Sequence, residues 1–177
     1  MDIRIRIRST RRGLLRAAGG VSLGAIGSGA VGRPAPAAPS LPETGGALEP
    51  GPGTALVQRF CAAWSNLDAA ELADFFAADA TYQNIPLPGV VTGRDAIQQA
   101  LAEQIRILQY TTLTIQKAVS WRNTVIATRV DSYRYTNADH DVDLPIVGVF
   151  ELMPDFRRFT SWVDYFDLGQ SEFETVI

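Results

Sequence analysis

The sequence predicts a single α+β domain in which three N-terminal helices pack against a curved, mixed but mostly antiparallel sheet and form a cone-shaped pocket. Two observations lead to this fold class. Apolar residues recur mainly every three to four positions up to residue 108, as in amphipathic helices, and every two positions after it, as in strands. The chain has 177 residues, of which 46% are hydrophobic, and this is enough for one domain with a substantial core.

Two helices are expected at the start of this domain. In the first, Phe60 and Trp64 lie four residues apart on one apolar face. The second covers residues 67–80 and begins with Asp68 as its N-cap. Glu71 follows three residues later, which is the spacing of a capping box.

A short extended segment and a third helix are expected next, and four long strands follow them. The extended segment covers residues 80–89 and ends at two prolines, which cannot donate to a strand ladder. The third helix covers residues 92–108, where apolar residues lie four apart. Short turns separate the predicted strands, which lie near residues 109–120, 123–135, 142–153 and 157–167.

Charge is distributed unevenly along the chain. The first 37 residues hold seven of the 16 Lys and Arg residues but only one of the 19 Asp and Glu residues, so the remainder holds nine bases and 18 acids. Its net charge of −9 would repel phosphate backbones. We therefore expect no nucleic-acid partner.

The N-terminal segment resembles a twin-arginine export signal. Arg11 and Arg12 are adjacent, and residues 17–32 are uncharged and rich in Ala and Gly. This predicts an export signal over residues 1–37 and a periplasmic or extracellular location, with a Pro- and Gly-rich linker over residues 38–52. A disordered basic tail or a wrongly assigned start codon is the alternative. The apolar stretch is too short and too rich in glycine for a stable membrane anchor to be expected.

The chain has one cysteine and one histidine, and neither lies in a sequence context that indicates a catalytic nucleophile or a metal site. Cys61 is the one cysteine, so no intrachain disulfide or Cys-based cluster can form, and its helical context favours a buried core position. His140 is the one histidine and lies in a polar stretch that is typical of a loop. We expect no metal and no cofactor.

Charged residues on the predicted strands are the strongest functional signal. Side chains two positions apart on a strand share a face, so Arg129 and Asp131 are neighbours, as are Tyr82 and Asn84. Asp164 shares its face with apolar neighbours on the last strand. These polar groups therefore face the core or the pocket, where unpaired charges are costly.

One arginine can bridge two carboxylates through its planar fork of donors. If Arg129 joins Asp131 to Asp164, the two acids are coupled, and one can stay protonated while the other is ionised. Such a pair provides a general acid and a general base. From spacing alone, a cross-strand ion pair on the solvated face is the alternative interpretation.

At this level of detail the sequence resembles the limonene-1,2-epoxide hydrolase family, which has the nuclear transport factor 2-like cone fold. The pieces that carry the resemblance occur in family order, and the resemblance covers about residues 54–174, which is essentially the whole of the predicted domain at 53–177. They are "YQNIPLPG" at 82–89, "GRDAI" at 93–97, "TRVDSYR" at 128–134, "IVGVFEL" at 146–152 and "WVDYFDL" at 162–168.

The resemblance implies an epoxide hydrolase that opens its substrate with water in one step, without a cofactor or a covalent intermediate. Asp164 would be the general base, and Tyr82 and Asn84 would hold the water. Asp131 would be the protonated acid, and Arg129 would tie the two carboxylates together. All five residue types stand at their motif positions.

The substrate that the resemblance implies is a small apolar epoxide, terpenoid or lipid-like. Leu144, Ile146 and Phe166 are candidates for an apolar substrate-binding wall, with ordinary core packing as the alternative. Val163 departs from the family pattern but should point away from the site. The resemblance also implies a possible homodimer. Two other functions stay open: a cyclase or isomerase that uses the same acid and base, and a non-catalytic module that binds a hydrophobic ligand.

Overall fold

A computed structural model of the chain describes residues 5–7, 51–171 and 173–175. Apart from residues 5–7, the predicted export signal over residues 1–37 lies outside these ranges, and so does most of the predicted linker. No helix in the described part of the chain has both the length and the apolar character needed to cross a membrane.

The helices and strands alternate along the chain more than the sequence suggests. The helical elements are α1 (Pro52–Ala63), a 3₁₀ turn (Trp64–Asn66), α2 (Ala69–Ala73) and α3 (Arg94–Ile105). The strands are β1 (Ile5–Ile7), β2 (Phe76–Ile85), β3 (Val91–Thr92), β4 (Leu108–Trp121), β5 (Thr124–Tyr135), β6 (Val142–Leu152), β7 (Phe159–Phe166) and β8 (Phe173–Thr175).

Six of these strands form one open sheet in the order β3-β2-β7-β6-β5-β4, and β1 pairs with β8 in a separate two-stranded sheet. Every neighbouring pair in the large sheet is antiparallel except β2 and β7, which run parallel. The α+β class and the mostly antiparallel sheet are confirmed, and each of the four long predicted strands is found within two residues of its expected ends.

The second predicted helix is wrong beyond Ala73, because the chain enters β2 at Phe76. Its N-cap is confirmed, since an Asp68 carboxylate oxygen accepts from the backbone N–H of Ala70 at 2.8 Å and of Glu71 at 3.2 Å. Pairing with β7 overrides the local helical pattern after that point: the backbone N–H of Phe159 donates to the carbonyl of the residue before Phe76 at 2.8 Å.

The arrangement of three helices as a block before the sheet is not confirmed. Strands β2 and β3 lie between α2 and α3. The N-cap of α3 is Gly93, whose φ of +93° favours glycine. The helices nevertheless cover one face of the sheet, because buried residues of α1 and α3 form one cluster with residues of β2, β5, β6 and β7.

The centre of this cluster is the ring of Phe60 on α1, which is fully buried. It makes edge-on contacts with the rings of Trp64, Phe75, Phe76, Phe150, Phe159 and Trp162. Cys61 is buried beside it, and desolvation raises the pKa of its thiol to about 12. The predictions of a buried Cys61 and of a loop around the exposed His140 are both confirmed.

The opposite face of the sheet carries several exposed apolar side chains. They are Val119, Trp121, Ile126, Val147 and Tyr165, with between 40% and 69% of each exposed. Exposed apolar patches of this kind often mark interaction surfaces. A homodimer stays a prediction.

Candidate active site

A pocket opens between the helices and the inner face of the sheet. All eight residues singled out in the sequence line it: Tyr82, Asn84, Arg129, Asp131, Leu144, Ile146, Asp164 and Phe166. The strand spacing therefore identified the correct face of β5 and β7. The buried side of the sheet carries the charged groups, and the solvated-face alternative is wrong for Arg129, whose side chain is 1% exposed.

Strand register brings Arg129 and Asp164 together across an intervening strand. Gly148 on β6 is the partner of Ala127 on β5 and of Asp164 on β7. A Cβ at Gly148 would lie 2.5 Å from Arg129 Nη1 and 3.0 Å from Asp164 Oδ1. The guanidinium therefore crosses β6 where the strand has no side chain, and glycine is needed there for close approach.

The Arg129 guanidinium holds both carboxylates through paired hydrogen bonds. Its Nε donates to Asp131 Oδ1 at 2.7 Å, and its Nη2 donates to Asp131 Oδ2 at 3.1 Å. On the other side, Nη1 donates to Asp164 Oδ1 at 2.9 Å, and Nη2 also donates to Asp164 Oδ2. This is the two-carboxylate bridge that the sequence predicted, and it fixes both acids against one planar group.

Burial makes the charge balance of this cluster unfavourable when both acids are ionised. Desolvation works against the charge of Arg129, but Asp164 and Asp131 outweigh it and raise its pKa, so the guanidinium stays charged. Desolvation raises the pKa of Asp131 to about 6, although Arg129 acts in the opposite direction. One proton on the pair makes the cluster neutral, and Asp131 is the acid that burial favours for it.

Asp164 has more donors directed at it than Asp131 has. Besides the two bonds from Arg129, the indole Nε1–H of Trp162 donates to Asp164 Oδ1 at 2.7 Å. Hydrogen bonds to a carboxylate favour its charged form. Trp162 is one of the apolar neighbours that the sequence placed on the face of Asp164, and it was given no role, although a spacing of two residues allows the contact.

Tyr82 and Asn84 lie beside the base on the neighbouring strand. Parallel pairing of β2 with β7 makes Tyr82 the partner of Trp162 and Asn84 the partner of Asp164. Tyr82 Oη accepts from Asn84 Nδ2 at 2.6 Å and from Gln104 Nε2 at 2.8 Å. Burial, followed by the charge of Asp164, raises the pKa of Tyr82, so its hydroxyl keeps its proton.

Sequence reasoning missed Gln104 on α3. The signal was present, because Gln104 is seven residues after Ile97 and three after Leu101, which form the buried stripe of this helix. A glutamine on an apolar stripe needs a partner, and here it is the Tyr82 hydroxyl.

The rest of the pocket is mainly apolar. Leu144, Ile146 and Phe166 lie on its wall together with apolar side chains of β4 and of the turn that precedes it. Their contact with a substrate stays a prediction. Among the described residues, no group of three or more His, Cys, Asp or Glu side chains could hold a metal ion.

Comparison with known proteins places this architecture in a broad class. The model of the SnoaL-like domain family matches residues 57–158, which is more than half of the chain. A protein from Catenulispora acidiphila with a ketosteroid isomerase-like fold, solved with trimethylamine, is 25% identical with a TM-score of 0.60, and 65% of this chain aligns with 87% of that one.

Two structurally similar enzymes have names that refer to epoxides. An LEH-like epoxide hydrolase from M. tuberculosis is 23% identical with a TM-score of 0.58, covering 67% of this chain and 85% of the other. The epoxide hydrolase/cyclase-like enzyme SalBIII of salinomycin pyran-ring formation is 15% identical with a TM-score of 0.58, covering 66% and 91%. At these identities both likenesses show the fold alone.

The fold is therefore the nuclear transport factor 2-like fold, which confirms the fold expectation in its broad form. Cyclases, isomerases and an epoxide hydrolase share it, and it is commonly enzymatic. The narrower resemblance to limonene-1,2-epoxide hydrolases is not confirmed by these comparisons.

Proposed function

The chain belongs to the SnoaL-like domain family, and from this premise we propose that it is an epoxide hydrolase that adds water to an apolar, terpenoid or lipid-like epoxide and releases a vicinal diol. The observation that carries the proposal is the buried bridge of Arg129 between Asp131 and Asp164 in a mainly apolar pocket. A coupled pair of carboxylates supplies an acid and a base at one site.

Asp164 is the base in this proposal. Its two oxygens accept three different N–H groups of Arg129 and Trp162, which stabilise negative charge there. Asn84 is its strand partner, and the hydroxyl of Tyr82 is bonded to Asn84. These two side chains hold the attacking water beside Asp164.

Asp131 is the acid. Its pKa, raised to about 6, keeps a proton on it up to about pH 6, and its side chain is the more exposed of the two carboxylates to the pocket, at 13% against 5%. An epoxide oxygen that reaches Asp131 receives this proton as its carbon–oxygen bond breaks.

The step balances without a covalent enzyme intermediate. The water oxygen bonds to one epoxide carbon, the bond from that carbon to the ring oxygen breaks, Asp164 takes a proton from the water, and Asp131 gives its proton to the ring oxygen. Asp131 is then ionised and Asp164 protonated, so one proton must return to Asp131 before the next turnover. Arg129 contacts both acids and so stabilises the negative charge on either one.

Labelled water separates hydrolysis from the second candidate function, a cyclase. The same acid and base could activate a hydroxyl of the substrate instead of water, and a fold neighbour acts in pyran-ring formation. We expect mass spectrometry of products made in ¹⁸O-water to show a diol with one labelled oxygen. A cyclic ether without label would identify a cyclase, and ligand retention without any product would identify a binding module.

The pH dependence of the reaction follows from the pKa of Asp131. Because burial raises that pKa to about 6, the acid form is present below about pH 6 and is lost above it. We therefore expect kcat/KM to fall by about tenfold per pH unit on the alkaline side, with an apparent pKa that belongs to the coupled pair. Initial rates on an accepted epoxide from about pH 5 to about pH 8 measure this. A kcat/KM that is constant or rises over that range would contradict the role of Asp131.

A further inference from the structure

The hydroxyl of Tyr82 accepts hydrogen bonds from two side-chain amides. Asn84 Nδ2 donates to its Oη at 2.6 Å from the same strand, and Gln104 Nε2 donates to it at 2.8 Å from α3. Tyr82 is 4% exposed, and its ring stacks on that of Trp162 with centroids 4.5 Å apart, so packing holds the phenol against both donors. A hydroxyl oxygen has two lone pairs, and the two amides occupy both of them.

Only the O–H proton of Tyr82 is left for a third partner. Asn84 cannot accept this proton through the nitrogen that it directs at the phenol, and neither can Gln104, because an amide nitrogen only donates. All three side chains line the pocket. A polar molecule bound against Tyr82 Oη therefore meets a donor and not an acceptor.

We propose that Gln104 is a positioning residue that sets the direction of the hydrogen bond between Tyr82 and the attacking water. This inference rests on the proposed function, in which Tyr82 and Asn84 hold that water. Asn84 alone fills one acceptor site of Tyr82 Oη, and the other would be open to a proton of the water. Gln104 fills this second site, so the hydroxyl donates to the water and does not accept from it.

The direction of this bond decides where the protons of the water go. A water that accepts from Tyr82 keeps both protons for other partners. Asp164 takes one of them, and the amide oxygen of its strand partner Asn84 is placed to accept the other, because the Nδ2 of that amide is turned to Tyr82. The remaining lone pair is free to attack the epoxide carbon. A water that donated to Tyr82 instead would direct a proton away from the base.

Two substitutions of Gln104 in the full-length protein test this role by steady-state kinetics. Gln104→Met keeps an unbranched side chain but removes the donor, so kcat should fall about tenfold, the factor that one net hydrogen bond provides, with KM nearly unchanged. Gln104→Glu keeps the shape of the amide, but an ionised carboxylate only accepts. It should draw the Tyr82 proton towards α3 and lower kcat further. The same two changes at Gln99, which is exposed on α3, are the matched controls and should leave kcat unaltered.

The Tyr82 hydroxyl is observed directly in protein whose tyrosines carry ¹³C at Cζ, with its resonance assigned by Tyr82→Phe. A phenol that donates to a carboxylate gains phenolate character, so we expect this resonance to move downfield in Gln104→Glu, and less far in Gln104→Met. The Gln99 variants should leave it in place.

An unmoved Tyr82 resonance in Gln104→Glu, a kcat of that variant equal to that of the parent protein, or a loss confined to KM would overturn the proposal. The resonance is recorded without substrate. A protein that forms no diol would therefore contradict the proposed function, while the direction of the Tyr82 hydrogen bond would still be decided by this measurement.

Discussion

Asp164→Asn is expected to abolish diol formation, lowering kcat by about 10²- to 10⁴-fold, the range that a positioned general base contributes. The amide has nearly the same shape as the carboxylate but cannot take a proton from water. Arg129 keeps its hydrogen bonds to Asp131, which can ionise to balance the guanidinium charge once Asp164 is neutral, so the fold should survive. Diol formation by the purified variant at saturating substrate measures the effect.

Asp143→Asn is the matched control for this change. Asp143 lies on β6 but faces the solvated side of the sheet, where it accepts from Ser132 Oγ at 2.6 Å. The same isosteric change there should leave kcat nearly unaltered. Near-normal turnover by Asp164→Asn, with the circular dichroism spectrum of the parent protein, would show that Asp164 is not the base.

Arg129→Ala is expected to destabilise the protein by about 3–5 kcal/mol and to remove activity as well. The substitution leaves two carboxylates in the pocket wall without their cation, and it leaves a space beside the ring of Trp162, over which the guanidinium lies at 5.8 Å. Urea unfolding at neutral pH measures the stability. The loss should shrink as the pH falls, because protonated carboxyls do not need a cation.

Arg134→Ala on the same strand is the control for the stability measurement. Arg134 pairs with Asp141 at 2.6 Å, but their side chains are 35% and 47% exposed. Exposed pairs of this kind contribute little to the free energy of unfolding, because water and salt screen them. If both substitutions lowered the free energy of unfolding equally, the buried bridge of Arg129 would stabilise the protein no more than an exposed ion pair does. That result would contradict the structural role proposed for Arg129.

Strand periodicity made much of this site predictable. Arg129 and Asp131 were placed on one face by their spacing, and β5 has the expected bounds within one residue. Spacing could not decide whether that face was buried. Spacing also could not show that Arg129 reaches Asp164. That contact depends on Gly148, because only a strand without a side chain at that position lets Arg129 reach across to Asp164.

The features that sequence reasoning missed depend on contacts between distant segments. The helical pattern continued past Ala73, but pairing with β7 turned the following residues into a strand. The amide of Gln104 reaches Tyr82 from another element, and the indole of Trp162 is recognisable as a donor to Asp164 only once the side chains are placed. Local propensity and periodicity contain no information about such neighbours.

The parallel pairing of β2 with β7 also determines when the site can form during folding. Thr81 and Ser161 are 80 residues apart in sequence and hydrogen-bond across this pair. Closing so long a loop costs entropy that local contacts cannot offset early. A nascent chain that has not reached β7 already contains Arg129 and Asp131, but it lacks Asp164 and the strand beside which Asn84 belongs. The candidate site therefore cannot be complete until the last strand of the large sheet has been made and has inserted between β2 and β6, two strands that were made before it.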